Sequence, residues 1–250
     1  MKKIVLLLSL LYSLSGLAQD ATTLMQEGKA LEQKFKEEEA IEKYKLAFST
    51  EPSNIASLVK LAELSINIGS RQADPVSKKN YYIQAKAYAD AAMRISLTNA
   101  DALCVMSAVY GKLTEVEEKK EMIVEDVKLS RLYALQAISA DPNNGKAYNA
   151  LGRWNYEMLN LNPLKKAAVK VLYGGLPPAS IDSCISYLEK CKRFEPYYCP
   201  NFYDLGKAYN FNKQYEKAIA VLQQLLKLPT RRQDDPAVKA QGAVLLQKLQ

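Results

Sequence analysis

The sequence predicts an all-α fold in which helix pairs stack side by side as a helical-repeat solenoid. Four short segments align without gaps at spacings of 45, 45 and 54 residues. A small residue recurs twelve and five positions before each segment, and a large residue followed by a small one recurs after it. Self-similarity at a fixed period of this size indicates stacked supersecondary units. The segments begin at Pro52, Leu97, Pro142 and Pro196.

The composition of the 250 residues is that of a folded protein without the usual catalytic groups. Hydrophobic residues make up 48% and charged residues 24%, which excludes a disordered chain and a multi-span membrane protein. The chain has no histidine. That absence removes His-based catalytic triads, His-ligated zinc and the commonest general base near neutral pH. We therefore expect no enzymatic activity, no cofactor and no metal.

The N-terminus has the pattern of a secretory signal peptide. A basic start, Met1–Lys3, precedes the apolar run Ile4–Leu17, and Ala18 completes a small-residue cleavage motif. The run of about 14 residues is shorter than the roughly 20 that a spanning helix needs. We predict a signal peptide over residues 1–18, cleaved near Ala18, and export to the periplasm or out of the cell. An uncleaved anchor is the alternative.

The rest of the chain, residues 19–250, divides into five predicted helix pairs and a capping helix. In each aligned segment Pro or another turn residue ends one helix, and Asn can satisfy the free N–H groups of the next. The predicted units are residues 21–52, 53–97, 98–142, 143–196 and 197–230. The capping helix, residues 235–250, is expected to bury four apolar side chains, Val238, Leu245, Leu246 and Leu249.

Two columns of small residues mark where the helices of a unit approach each other. Two helices come close only where a side chain is small, so these columns predict the packing face within each unit. One column consists of Ala40, Ala85, Ser130 and Cys184. The other consists of Ala47, Ala92, Ala137 and Cys191.

A recurring order of Leu-Gly, Tyr, Ala, an aromatic residue, Ala and Pro identifies the type of repeat. It is clearest in Phe202–Tyr209 and continues through Tyr215 and Ala218. This pattern resembles the tetratricopeptide repeat (TPR) family, and the resemblance implies a TPR-like solenoid. A standard repeat has about 34 residues. These units therefore carry roughly 11 to 20 extra residues between their helices, for example at Gly69–Ser77 and Asn160–Ala179.

A narrower resemblance covers roughly residues 130–249. Its motifs are Leu151–Glu157, Leu172–Pro178 and the acidic pair Asp234-Asp235 after Leu228-Pro229. They resemble the C-terminal TPR region of the regulator of microtubule dynamics family. The resemblance implies a non-catalytic, protein-binding TPR domain, with microtubule and organelle-contact roles in animals.

The four cysteines are expected to be small buried residues. Cys184 and Cys191 are seven residues apart on one predicted helix and occupy the small-residue columns. A disulfide between Cys199 and a neighbour is the alternative in an oxidising compartment. Zinc binding is not expected, because the chain has no C-x-x-C motif and no histidine.

The TPR pattern also predicts which side chains face the groove that the first helix of each pair lines. Residues 131–250 carry 17 basic and 9 acidic side chains, against 15 and 18 in residues 19–130. Arg153 and Lys207 are predicted to hold a carboxylate, and Asn149 and Asn210 to bond an extended backbone. The full predicted set is Lys146, Asn149, Arg153, Tyr156, Tyr203, Lys207 and Asn210.

A basic surface element lies in the long insertion of the fourth unit. Lys165, Lys166 and Lys170 alternate there with apolar residues. A short helix packed on the array explains this pattern. The sharper hypothesis is a basic amphipathic element that meets an acidic partner or an anionic membrane surface.

These observations predict an exported, non-catalytic scaffold that binds a protein or peptide in its concave groove. The alternative is an envelope-surface protein that binds anionic lipid or glycan through its basic C-terminal half. Nucleic acid is not an expected partner, because a signal peptide sends the protein away from it. The sequence does not specify an oligomeric state.

Overall fold

A computed structural model describes residues 20–250, with the side chains of Lys165, Ala168, Leu172 and Tyr173 left undescribed. This part of the chain forms twelve helices and no strand, as the sequence predicts. The helices are α1 Ala21–Gln33, α2 Glu37–Thr50, α3 Ile55–Arg71, α4 Pro75–Ile95, α5 Ala100–Leu113, α6 Lys120–Ala140, α7 Gly145–Asn160, α8 Pro163–Tyr173, α9 Ile181–Phe194, α10 Cys199–Phe211, α11 Tyr215–Lys227 and α12 Asp235–Gln247.

Three of the repeated turns start the next helix with an asparagine cap. The Asn54 side chain accepts a hydrogen bond from the Ser57 N–H at 3.0 Å, and Asn99 and Asn144 make the same bond at 2.9 and 3.0 Å. Each cap satisfies one of the helix's free N–H groups. The fourth turn differs, because α10 starts at Cys199-Pro200 without a side-chain cap. The repeated asparagine therefore fixes where α3, α5 and α7 begin.

The helices of each unit pack through the predicted small residues. Seven of the eight are fully buried, and Ser130 is half-buried. The Ser130 and Ser107 hydroxyls each donate to the backbone carbonyl of the other residue, at 2.9 and 2.7 Å. A Cβ added at Gly152 would lie 2.5 Å from Leu188, and one at Gly206 would lie 2.6 Å from Leu222. Glycine is therefore required for these close helix approaches.

The extra residues of the units are accommodated in two ways. In the second unit they mostly lengthen α3 and α4, to 17 and 21 residues, so that only residues 72–74 of Gly69–Ser77 are non-helical. In the fourth unit they form the additional helix α8 between α7 and α9. The array ends with α12, on which Leu246 is buried. Val238 and Leu245 on this helix, and Leu249 directly after it, are only partly buried against the core of the last unit.

The first and last parts of the array meet in a contact that the repeat pattern does not predict. The Arg71 guanidinium donates to Glu37 at 2.8 Å and to Asp234 at 3.1 Å. The Glu37 N–H donates to the Gln233 side chain at 3.3 Å, and Arg232 donates to Asn67 at 3.4 Å. We call these six residues the closing contact. It joins α2 and α3 to the loop before α12, so the solenoid closes on itself.

The predicted signal peptide, residues 1–18, lies outside the residues that the structure describes. No helix in the described part is both long and apolar enough to cross a membrane. All four cysteines are free thiols, and Cys184, Cys191 and Cys199 are buried. Within residues 20–250 no cluster of three or more carboxylate or thiol ligands is placed to hold a metal ion.

Candidate functional site

A cavity of about 590 Å³ occupies the concave side of the array. It is lined mainly by α3, α5 and α7 and by the loops that precede α10 and α12. Three of the predicted groove residues line it, namely Lys146, Asn149 and Arg153. The predicted residues of α10 do not belong to its lining.

One wall of the cavity is organised around the carboxylate of Glu63. Lys146 on α7 reaches it at 2.6 Å, and Lys60 on the same helix as Glu63 reaches it at 3.2 Å. Burial alone would raise the pKa of Glu63, but Lys146, Lys60 and Arg232 lower it well below its usual range. Glu63 therefore stays charged and fixes Lys146 in place. The single negative charge of Glu63 does not balance the positive charges of the basic side chains that surround it.

The loop before α12 brings Arg232 into the same wall. The Asp235 carboxylate accepts hydrogen bonds from the Arg231 and Arg232 N–H groups at 2.8 and 2.9 Å, which fixes the loop at the start of α12. The Arg232 guanidinium then lies 5.1 Å from the centre of the Tyr198 ring. Sequence reasoning did not identify Arg232, because it lies outside the repeats. The only feature of the sequence that points to Arg232 is its place in the pair Arg231-Arg232, shortly before the acidic pair Asp234-Asp235.

Tyr198 lines the cavity together with three cations, Lys146, Arg153 and Arg232. Glu63 raises the pKa of Lys146, and the Tyr198 phenol adds to the effect. Asp204 raises the pKa of Arg153, and Tyr198 again adds to it. Burial lowers the pKa of Arg232, but Tyr198 and Glu63 raise it by more. We call Lys146, Arg153, Arg232 and Tyr198 the cation cluster, and its three basic side chains are therefore charged at neutral pH.

The predicted carboxylate clamp already holds a carboxylate of the protein itself. Lys207 pairs with Asp204 at 2.8 Å, and Arg153 approaches it at 3.9 Å. The Asn149 amide, which is buried, donates to Asp204 at 3.2 Å and to Asn201 at 3.1 Å. Lys207 and Asn149 are thus engaged within the array. The side chain of Arg153 is half exposed, and 3.9 Å is its shortest ion pair in the described part of the chain.

Tyr156 and Tyr203, two of the remaining predicted groove residues, lie around Lys207. Its ammonium lies 5.0 Å from the centre of the Tyr156 ring and 4.9 Å from that of Tyr203. Tyr156 also packs edge-on against Phe211, with 5.9 Å between ring centres. Asn210 is partly exposed beside them. The structure therefore separates the predicted set into a cavity group on α7 and a packing group centred on α10.

The cavity as a whole is not basic, contrary to the expectation from the charge of the C-terminal half. Its described lining contains four basic side chains and seven carboxylates. Most of these carboxylates are used internally; Asp234 pairs with Arg71, for example, and Asp101 accepts from Asn144 at 3.3 Å. Three of the four basic side chains belong to the cation cluster, and the fourth, Lys112, pairs with Glu115 at 2.8 Å. The cavity therefore offers one local anion site within a polar surface.

The predicted basic surface element is the helix α8, on the outside of the array. Lys166 and Lys170 are exposed there, whereas the side chain of Lys165 lies outside the described residues. Lys166 donates to the Leu159 carbonyl at 3.0 Å. This element is separate from the cavity, since none of its residues belongs to the lining.

A family model described as "Regulator of microtubule dynamics protein 1-3" matches residues 24–250. Regulator of microtubule dynamics protein 3 of Xenopus laevis is 28% identical over 123 residues, which are 49% of this chain and 26% of that protein. Protein 1 of Caenorhabditis elegans is 23% identical over 186 residues, covering 74% of this chain and 80% of that protein. The chain therefore spans about a quarter of the first relative and most of the second.

Two solved structures share the architecture of this chain, and one of them is a TPR protein. A thermophilic TPR protein of Thermus thermophilus superposes with a TM-score of 0.67 and 14% identity, covering 91% of this chain and 99% of that one. The pilF protein of Pseudomonas aeruginosa superposes with a TM-score of 0.53 and 14% identity, covering 92% and 91% of the two chains. At this identity the likeness concerns the fold alone. It confirms the predicted TPR-like solenoid.

The prediction of export is wrong. The matched family model and both relatives are regulators of microtubule dynamics, and microtubules are polymers of the cell interior. A basic start followed by a short apolar run is a pattern of composition, and it does not by itself specify secretion. The matched range begins at residue 24, after the segment on which that prediction rested. The envelope location of the alternative falls with it, whereas its binding of anionic lipid stays a prediction.

Proposed function

Because the chain belongs to the regulator of microtubule dynamics protein 1-3 family, we propose that it is a non-catalytic scaffold that binds a protein partner in its concave cavity. The position of Lys146, Arg153 and Arg232 around one cavity, with the Arg232 guanidinium 5.1 Å from the centre of the Tyr198 ring, carries the proposal. These groups come from α7 and from two separate loops. Their convergence in one cavity gives a single point at which a partner's anionic group is held.

The partner segment that fits the cavity is an extended peptide with one carboxylate near its centre. Arg153 is the primary contact, because its half-exposed guanidinium has donors to spare while Lys146 is held by Glu63. Arg232 and the Tyr198 hydroxyl supply further donors from the opposite loops. In this proposal the partner's carboxylate is held by Arg153 and Arg232, instead of by Arg153 and Lys207 as predicted from the sequence. Glu157 and Glu195, which also line the cavity, favour basic residues next to the partner's carboxylate.

The relatives' names make the microtubule the first partner to test. The full chain is incubated with stabilised microtubules, and the bound fraction is measured by co-sedimentation over a range of microtubule concentrations. We expect saturable binding by the wild type. Loss of a charge-assisted contact in Arg153→Ala is expected to weaken binding about tenfold.

Arg94→Ala serves as the matched control. Arg94 is an exposed arginine on α4, away from the cavity lining, and its removal changes the net charge by the same amount. The control is expected to bind like the wild type. Equal binding by both variants would contradict the cavity as the binding site. No binding by the wild type would exclude microtubules as the partner, and photocrosslinking from position 150 would then test for another protein in the cavity.

A further inference from the structure

The helix α8, Pro163–Tyr173, exposes an apolar stripe that nothing in the described array covers. Leu164 is 79% exposed and Val171 is 81% exposed, the highest values among the described exposed large hydrophobic residues. Ala167 is also exposed and lies between them. The three residues follow the spacing i, i+3, i+7, which places them on one side of a helix. Burial of this stripe against another surface would be favourable.

The segment that carries the stripe has positive charge and no acidic residue of its own. Between Glu157 and Asp182 the sequence contains three lysines and no Asp or Glu. Lys166 and Lys170 are exposed. Lys166 reaches back to the Leu159 carbonyl, which leaves its ammonium at the surface. The element is therefore apolar on one side and cationic beside it.

The attachment of α8 leaves this side free. Among the described helices α8 contacts α6, and its half-buried residue Val169 lies away from the stripe. Gly174 and Gly175 follow it with φ angles of 70° and 89°, a left-handed conformation that glycine adopts without strain. The chain thereby turns away from α8 directly after the helix. The apolar stripe remains at the surface of the molecule.

We propose that α8 docks the protein on an anionic membrane surface. Leu164 and Val171 enter the boundary between headgroups and acyl chains, and the lysines contact lipid phosphates. A helix of 11 residues is too short to span a bilayer, so it lies in the plane of the surface. This interaction goes beyond the proposed partner binding and uses a different face of the array.

The size and charge of the surface favour a membrane over a protein. One face of an 11-residue helix offers much less than the roughly 800 Å² per partner of a stable interface. Symmetric pairing with a second copy would place lysines against lysines. Neither the small area nor the repulsion between lysines applies to a membrane. There, weak insertion of two side chains adds to the attraction between the lysines and many anionic headgroups.

The test is sedimentation of the full chain with sucrose-loaded vesicles. One set is pure phosphatidylcholine, and the other contains about 30% phosphatidylserine, an anionic lipid of cytoplasmic leaflets. We expect binding to the anionic vesicles and little binding to the neutral ones. Leu164→Ser with Val171→Ser should abolish insertion. Lys166→Gln with Lys170→Gln should lower the partition coefficient about twenty-five-fold, since each surface lysine contributes a factor of about five.

Two controls match these variants. Leu97→Ser removes a leucine that is 74% exposed in the loop between α4 and α5. Lys29→Gln with Lys34→Gln removes two exposed lysines, one on α1 and one directly after it. Both are expected to bind vesicles like the wild type. The circular dichroism spectrum of each variant reports whether it folds. Because the changed residues lie outside the cavity, microtubule binding should be the same in all of them, which separates this proposal from the previous one.

Three results would overturn the proposal. One is the absence of binding by the wild type to anionic vesicles. Another is wild-type binding by the Leu164→Ser, Val171→Ser variant. A third is loss of microtubule binding by the α8 variants while vesicle binding is unchanged, which would make α8 a protein-docking surface instead.

Discussion

The closing contact makes a stability prediction that the repeat alone would not give. Arg71→Ala removes the guanidinium that joins Glu37 on α2 to Asp234 in the loop before α12. Glu37 is 4% exposed and loses its cationic partner. Removing one partner of a buried ion pair costs about 3–5 kcal/mol, because the remaining charge is left buried.

The partial exposure of this contact makes the expected loss of stability smaller than that of a fully buried ion pair. The side chains of Arg71 and Asp234 are 25% and 38% exposed, so water reaches part of the contact. The Asn67 amide still donates to Glu37 at 3.2 Å. We therefore expect Arg71→Ala to lower the free energy of unfolding by about 2 kcal/mol at neutral pH.

The loss should depend on pH with a definite sign. Burial raises the pKa of Glu37 above its ordinary value of 4.5, although Arg71 opposes the shift. The folded state therefore binds this proton more tightly than the unfolded state, and stability falls as pH rises from 4.5 through the folded pKa. Without Arg71 the folded pKa rises further. The deficit of Arg71→Ala is then small at about pH 4, where Glu37 is protonated, and complete at neutral pH.

Urea unfolding followed by circular dichroism measures these differences. Glu37→Gln added to Arg71→Ala removes the unpaired charge and should recover more than half of the lost stability. Arg94→Ala, at an exposed arginine, should stay within about 0.5 kcal/mol of the wild type. The reasoning is refuted if Arg71→Ala loses no more stability than Arg94→Ala, or if its deficit is the same at both pH values.

Two further predictions concern packing and the thiols. Gly206→Ala should lower the free energy of unfolding by about 1–3 kcal/mol, because the added Cβ would lie 2.6 Å from Leu222. Gly111→Ala, whose added Cβ would have its nearest contact at 3.5 Å, should be neutral or stabilising, and thermal unfolding compares the two variants. Burial raises the pKa of Cys184 to about 12 and of Cys199 to about 11, so iodoacetamide should label neither quickly at neutral pH and should label both in urea. Rapid labelling of the folded protein would contradict the burial.

The periodic features of the fold were predictable because each acts over a short stretch of sequence. Asn54 and Asn99 cap the helices that begin directly after them. Ala85 and Ala92 are small because their helix packs closely on its own partner within the unit. A repeated local requirement leaves a repeated residue, and alignment of the units reveals it.

The closing contact was not predictable in this way. Arg71 and Asp234 are 163 residues apart, and each has the polar character of an ordinary exposed residue. Their meeting depends on the accumulated rotation from one unit to the next, which no single repeat encodes. Lys207 is a different case, because its partner Asp204 lies three residues earlier on the same helix, a spacing that the sequence already contains.

The character of the cavity follows from the closure of the array more than from the repeat. Lys146 and Arg153 lie on α7 in any TPR array with this sequence, but Arg232 is placed by the loop before α12. That loop is held from the C-terminal side by the Tyr198 ring and from the N-terminal side by Asn67. An array whose ends stayed apart would keep two cations facing an open groove. Closure of the array adds Arg232 as the third cation, and the three positive charges then surround one defined position in the cavity.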